Sequence, residues 1–407
     1  MRISRKGGAA IIFATNIGLE VTFVTGMVSG PTFRRIFELS DTQLGVALGA
    51  ASVGMLLASP MAGYNTHRRG PFNTLISGLG VLLFGISLII LANGFMPLLT
   101  GLAVTGVAAA LIANANSTYL AEWFPYKLRR IMSLSAGIWF ASSALSAPGI
   151  GAWLQFARDR DMGAWGYRLP YGMDILILLV CMSLGIAFLK APGGSKNRKS
   201  KKMESQEQPQ AAPVSAPKSL EWIWIPILGI FHGLLIMVFM AWANPMAQAK
   251  FDVSEFRGSL VLGMFAAGLG IGRILLFFFK PDIDERLILT VSGIAGGIFI
   301  ALGLLAPSYT IALVAIGLGG FVGSATFPCI LSLVGTRFPL SRAKVYGYMH
   351  SSVALAGLTG PPAVGALADA GIPVYHALLV TPTSGLILAI LSFIWMRTRP
   401  SRTVEGI

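Results

Sequence analysis

The sequence predicts an all-α membrane protein with twelve transmembrane helices arranged as two pseudo-symmetric six-helix halves. Three observations carry that prediction. Of the 407 residues, 54% are hydrophobic and 12% charged, about half the charged share of a soluble domain. The apolar residues fall into runs of about 20, the helical length needed to cross a bilayer core. One long segment also recurs later in the chain. A net charge of +14 raises nucleic acid as a partner. The charges sit in short stretches between apolar runs, however, so they read as topology signals, and no nucleic acid is expected.

Taken in chain order, the runs place spans at 8–30, 43–64, 72–93, 96–119, 131–155, 171–190, 222–243, 258–279, 286–306, 310–335, 344–367 and 373–396. Between spans 6 and 7 lies a polar, Pro-rich stretch of low complexity, which reads as a linker. It divides the chain into an N-terminal half (1–190), a linker (191–220) and a C-terminal half (221–407). The apolar start runs on to about Gly30 with no small-residue cleavage site, so it reads as a first span that is kept.

Basic residues orient the spans. Of 31 Lys and Arg, only Arg34, Arg35, Arg158, Arg160, Arg168, Lys250 and Arg257 fall in the loops opposite the termini, and Arg273 falls inside a span. Both termini are therefore expected in the cytoplasm, with the chain in the cytoplasmic (inner) membrane.

The repeat ties the two halves together. "FPYKLRRIMSLSAGIWFASSALSAPGIGA" begins at Phe124, and "FPLSRAKVYGYMHSSVALAGLTGPPAVGA" begins at Phe338, an offset of 214 without a gap. Phe-Pro opens both copies and Pro-x-x-Gly-Ala closes both (Pro148 and Pro362 with their glycines and alanines). Repeats of this kind put a binding site near the midplane between halves.

The chain carries none of the usual enzymatic or metal signatures. It has two cysteines, both inside apolar runs, and no CxxC, HExxH, GxSxG or Walker sequence. The stretch "GLGIG" (Gly268–Gly272) lies in an apolar run and reads as helix packing. Neither enzymatic activity nor a cofactor or metal is expected. ATP-driven pumping lacks a nucleotide site, and a sensor role lacks an added soluble domain.

Three stretches carry a family resemblance. "GYNTHRRG" (Gly63–Gly70) after span 2 is similar to the motif Gly-x-x-x-Asp-Arg/Lys-x-Gly-Arg/Lys-Arg/Lys of the major facilitator superfamily. Gly63, Arg68 and Gly70 match it, His67 stands at the Asp position, and Pro71 and Phe72 replace the last two basic residues. "LSDTQLG" (Leu39–Gly45) resembles the start of the family's span 2, with Asp41 or Thr42 as helix cap. "EWFPYKLRR" (Glu122–Arg130) resembles its connection from span 4 to span 5.

The resemblance implies two halves rocking about a cavity lined mainly by spans 1, 4, 7 and 10, serving a small-molecule substrate and, in many members, H+. It also implies a lipid-embedded chain that works as a monomer. Glycines are expected where the halves slide, and Gly45/Gly49 and Gly268/Gly272 have the spacing. Around Pro148 the chain resembles the family's Gly-x-x-x-Gly-Pro-x-x-Gly-Gly motif, with Ser143 and Ala147 at glycine positions; there, and at Pro361 and Pro362, a hinge is expected. "LAVTGVAAA" (Leu102–Ala110) puts Leu102 where many proton-coupled members carry Arg. In the family the Asp of the loop motif latches the halves. His67 cannot do so as an anion; its repeat equivalent Asp282, or Glu122, is left to take that part.

Polar groups inside the spans mark the candidate site. Glu20 lies fourteen residues from Lys6 and from Arg34, about 21 Å of helix either way. It is too deep to reach water along its own helix and reads as a proton or cation site sharing a face with Asn16. Arg273 reads as a counter-charge for a carboxylate, or as scaffold. His232, near the midplane of span 7, is a possible partner for Glu20; His350 and His376 are weaker candidates. Asn114 and Asn116 are two apart, so only one of them faces the cavity. Pro328 frees a backbone carbonyl in span 10. Trp222, Trp224 and Trp242 read as interfacial anchors.

One buried cation and one buried anion leave two readings open. The first is transport of a small organic anion or zwitterion, with proton coupling undecided. The second is efflux of a lipophilic or cationic compound.

Overall fold

The computed structural model describes residues 5–124, 127–189, 223–278, 285–337 and 342–397, and every regular element among them is helical. In chain order these are α1 (Arg5–Val28), α2 (Gly30–Ile36), α3 (Asp41–Ile90), α4 (Phe95–Trp123), α5 (Leu128–Asp159), α6 (Trp165–Phe188), α7 (Trp224–Phe251), α8 (Glu255–Phe278), α9 (Glu285–Leu305), α10 (Tyr309–Gly323), α11 (Thr326–Arg337), α12 (Arg342–Asp369), α13 (Val374–Ala377) and α14 (Val380–Arg397). The expected linker at 191–220 lies outside the described residues.

Among the described residues, eleven stretches are long and apolar enough to cross a membrane, one of them running through α10 into α11. Another holds two spans. At about 1.5 Å per residue, the 50 residues of α3 would run about 75 Å, against a bilayer core of about 30 Å. The helix turns at Gly70, whose φ of +82° and ψ of 160° break the α conformation. A positive φ of this kind suits glycine, and Pro71 then opens span 3 with its ring pre-set for a first turn. The Gly63–Gly70 motif, expected in a loop, is therefore the helical end of span 2. Span 10 is likewise broken between α10 and α11, just before Pro328. The short α2 follows span 1 where a loop was expected.

The far end of α3 shows how this sequence starts a helix. Ser40 is the N-cap: its hydroxyl accepts from the Gln43 amide at 3.2 Å, and the Gln43 side chain accepts from the Ser40 amide at 3.0 Å. This capping box replaces the expected cap by Asp41 or Thr42. The amides of those two residues are instead both taken by the Asp369 carboxylate, at 2.9 Å each.

In lipid, apolar burial does little to hold helices together, so close backbone contact must. The glycines place that contact, and the repeat offset predicts where it recurs. A Cβ on Gly54 would overlap the carbonyl of Ala103, and one on Gly106 the carbonyl of Ala51, locking span 2 to span 4. Adding 214 to each number gives the C-terminal pair: Gly268 on the Gly317 carbonyl and Gly320 on the Phe265 carbonyl, locking span 8 to span 10. The seam between halves obeys the same offset. A Cβ on Gly49 would lie 3.6 Å from the Pro362 ring and one on Gly263 3.2 Å from the Pro148 ring, so spans 2 and 11 mirror spans 8 and 5.

Two expectations are corrected here. Gly45 and Gly49 do face the other half, but Gly268 and Gly272 pack on span 10 of their own half; Ser259, Gly263 and Gly270 form the sliding face of span 8. Trp242 is not an interfacial anchor. It is 1% exposed and donates its indole N–H to the Pro361 carbonyl at 3.1 Å.

Candidate functional site

Span 1 turns its polar stripe toward spans 4 and 5. Asn116 of span 4 donates to the Asn16 side-chain oxygen at 2.6 Å and reaches Thr15 at 3.1 Å. Asn16 in turn donates to Ser135 of span 5 at 2.9 Å. All four side chains are buried. Asn114 points elsewhere, toward Gly63 of span 2.

One turn further along span 1, the carboxylate of Glu20 accepts a hydrogen bond from the Ser143 hydroxyl, with the Trp139 side chain also bonded to it. Trp139 and Ser143 are four residues apart on span 5, so they share a face. Sequence reading noted Ser143 only as a departure from a motif glycine. That departure supplies the hydroxyl that Glu20 uses.

Arg273 is the C-terminal counterpart, and it is 4% exposed. Its Nε donates to the carbonyl of Ser324 at 3.3 Å. That carbonyl is free because its usual partner would be the amide four residues on, and Pro328 has none. The guanidinium also lies over the ring of Phe140, 4.4 Å from its centre. Ser133 donates to the backbone carbonyl of Arg273 at 2.9 Å. Both of these partners belong to span 5 of the other half.

Span 5 therefore touches Glu20 through Trp139 and Ser143, and Arg273 through Phe140 and Ser133. The two groups flank it and form no direct ion pair. Span 5 was not among the helices expected to line the site.

His232 does not meet Glu20. Its Nδ1 lies 3.2 Å from the Thr326 hydroxyl, and its ring stacks on Phe327 at 5.0 Å. Phe327 also meets His350 edge-on at 5.7 Å. The span 10 break thus gathers Arg273, His232 and His350 into one basic and aromatic cluster.

Two buried acids were missed. Asp174 is 3% exposed and accepts from the Thr25 hydroxyl at 3.1 Å. It was overlooked because span 6 was expected from residue 171 but begins at Trp165, which puts Asp174 well inside. Glu255, also 3% exposed, meets Arg35 at 3.3 Å, Thr32 at 3.4 Å and Arg158 at 4.0 Å, all from the other half.

Comparison with known proteins agrees with this architecture. The sequence profile of the Major Facilitator Superfamily matches residues 9–281. The chain belongs to the major facilitator superfamily. Over 171 residues, 39% of this chain, it is 28% identical to the Multidrug resistance protein 2 of Bacillus subtilis (strain 168), and the match spans only 38% of that relative. Two structures of FucP share its fold. A variant of the E. coli fucose:proton symporter superposes with a TM-score of 0.65 at 15% identity, covering 96% of this chain and 99% of that one. FucP in its outward conformation gives 0.66 at 15% identity, covering 95% and 98%. This superfamily chain is a multi-pass membrane transporter rather than an enzyme.

The superfamily's loop motif sits differently from expectation. His67 is exposed and bonds to no described residue, and Arg68 lies over the Tyr64 ring, 5.6 Å from its centre. Glu122 is exposed and Asp282 lies outside the described residues. Besides the Ser133 bond to the Arg273 carbonyl, the described polar ties between the halves are at the opposite end. There the Asp369 carboxylate caps span 2, Glu255 meets its two arginines, and Asn244 donates to the Val28 carbonyl at 2.8 Å. Pro148, Pro361 and Pro362 line the seam that leads to this latch.

Proposed function

We propose that this transporter moves a small organic anion or zwitterion by alternating access, with Arg273 as the counter-charge. The observation that carries this is how the two charges are held. The carboxylate of Glu20 is engaged by Ser143 and Trp139. Arg273 spends one donor of its fork on Ser324, and a guanidinium has five. The remaining donors suit the planar, two-pronged recognition of a carboxylate. The ring of Phe140, on which the guanidinium lies, offers a surface for an organic body. Glu20 serves as the proton site.

A second reading, efflux of a lipophilic cation with Glu20 as counter-charge, is favoured by the partial similarity to the Bacillus multidrug resistance protein.

A thermal-stability screen with small carboxylates, amino acids and lipophilic cations separates the two readings. Stabilisation by carboxylates, followed by their uptake into proteoliposomes, is the expected result; stabilisation by cations alone favours the second. Glu20→Gln is expected to fold and to lose the response of uptake to a pH gradient. An unchanged gradient response would take Glu20 out of coupling.

With the termini in the cytoplasm, the latched end is the outer one. Asp369→Ala leaves the Asp41 and Thr42 amides to water in every state, so the outward-closed form loses a specific tie. Paired spin labels across the outer end are expected to report a larger separated population. Unchanged distance distributions would show that Asp369 holds nothing.

A further inference from the structure

The unused acid on span 6 has the features of a site of its own. Asp174 lies three residues after Tyr171, so both sit on the face of span 6 that packs against Thr25 and Gly26 of span 1. The Tyr171 hydroxyl is fully buried and has no hydrogen-bond partner. It packs closely on Gly26: a Cβ there would lie 3.1 Å from it. Beside it is a cavity of about 30 Å³, lined by Tyr171, Thr22, Gly26, Leu102 and Thr105 among others. One water needs about 10–15 Å³ measured in this way.

The hydrogen count favours a proton on Asp174. The Thr25 hydroxyl has one hydrogen and two acceptors in reach, the Val21 carbonyl at 2.8 Å and Asp174 at 3.1 Å. A protonated Asp174 donates to Thr25, which then donates to Val21, and every hydrogen is used. An ionised Asp174 would have no cation to pair with. Arg168 on the same helix is turned to Ala92 and Asn93. Glu20 on span 1 is turned to Ser143, on the other side of that helix. The titratable groups that do face the pair are Tyr171 and Tyr167 of span 6; among the described residues, no charged side chain of spans 2, 3 or 5 acts on it. A lone buried carboxylate is far costlier than a neutral one.

We propose that Asp174, with Thr25, is a second protonation site, separate from Glu20, and that the cavity lined by Tyr171, one helical turn away, holds the water that takes its proton. On release the carboxyl O–H bond breaks, the proton passes to water, and the Thr25 hydroxyl swings from Val21 to the new carboxylate. The site thus couples a proton to the contact between spans 1 and 6. Its place in a transport cycle rests on the reading above, but its existence does not.

Infrared difference spectroscopy on the full-length protein in lipid vesicles, titrated with pH, tests it without any transport assay. In Glu20→Gln, a carboxyl C=O band that comes and goes with pH is expected to remain, and it is expected to vanish when Asp174→Asn is added. If that variant does not fold, the near-isosteric Thr25→Val removes the hydroxyl and should move the same band. Three results would overturn the proposal: no titrating band in Glu20→Gln, a band indifferent to both further changes, or a band constant at every pH the protein tolerates. The last would make Asp174 a permanently neutral structural group.

Discussion

Arg273→Lys is expected to raise the KM for an anionic substrate by about ten- to a hundredfold while leaving the protein folded. The guanidinium is planar and offers five donors in a fixed fork. One of them is committed to the Ser324 carbonyl and the face of the group rests on Phe140, so the fork is held in one orientation before substrate arrives. An ammonium has no such division of labour. It must choose between the orphaned carbonyl and the substrate, and it loses the flat contact with the ring. Losing one charge-assisted hydrogen bond costs about 1.5–3 kcal/mol, which converts to the stated range at about 1.4 kcal/mol per tenfold. Uptake of the carboxylate that best stabilises the wild type is the measurement. An unchanged KM in a folded Arg273→Lys would remove Arg273 from substrate binding and leave it as a clamp on the span 10 break.

That clamp shows what the sequence made legible and what it did not. Pro328 announces a freed carbonyl, because a proline in a helix always removes one amide. Which donor comes to that carbonyl depends on the approach of span 8, and no local pattern encodes it. Hydropathy located the spans because the bilayer imposes both length and composition. It blurs the ends by several residues, since helices continue past the hydrocarbon core, and that blur hid Asp174. Trp242 was misplaced for a similar reason: a Trp near the end of a run suits an interface, but here packing against Pro361 decides.

Glycine spacing told correctly that helices pack closely at Gly268 and Gly272 but not against which neighbour. The repeat offset was worth more, because it relates contacts rather than residues. Once Gly54 is known to meet Ala103, the meeting of Gly268 with Gly317 follows. In the site, Asn16 and Glu20, one turn apart on span 1, both turn toward span 5, and Asn116 of span 4 meets Asn16. His232 did not join them, since Thr326 lies nearer. Ser143 was visible only as a missing glycine, and its hydroxyl acquires meaning once span 1 is placed beside it.

The same offset makes a stability prediction that needs no substrate. Gly106→Ala is expected to lower the unfolding midpoint sharply, by an amount equivalent to about 3 kcal/mol or more, the upper range for overpacking. The added Cβ falls on the backbone of Ala51, and backbone cannot rotate away as a side chain can. Spans 2 and 4 would have to separate along the line that Gly54 and Gly106 hold together, with no gain from lipid to offset the lost contact. Gly80→Ala is the matched control. Gly80 lies in span 3 with nothing within 4 Å of its added Cβ, so the greater helix propensity of alanine should stabilise it by about 0.5–1 kcal/mol. Propensity alone predicts the same sign at both positions, whereas close crossing predicts opposite signs. Gly320→Ala carries the comparison into the C-terminal half, where the Phe265 backbone stands in for Ala51. If the halves are built alike, its loss should match that of Gly106→Ala. A Gly106→Ala protein as stable as Gly80→Ala would mean that spans 2 and 4 do not cross at backbone contact. A tolerant Gly320 beside an intolerant Gly106 would mean that the repeat preserves the course of the helices but not the closeness of their packing.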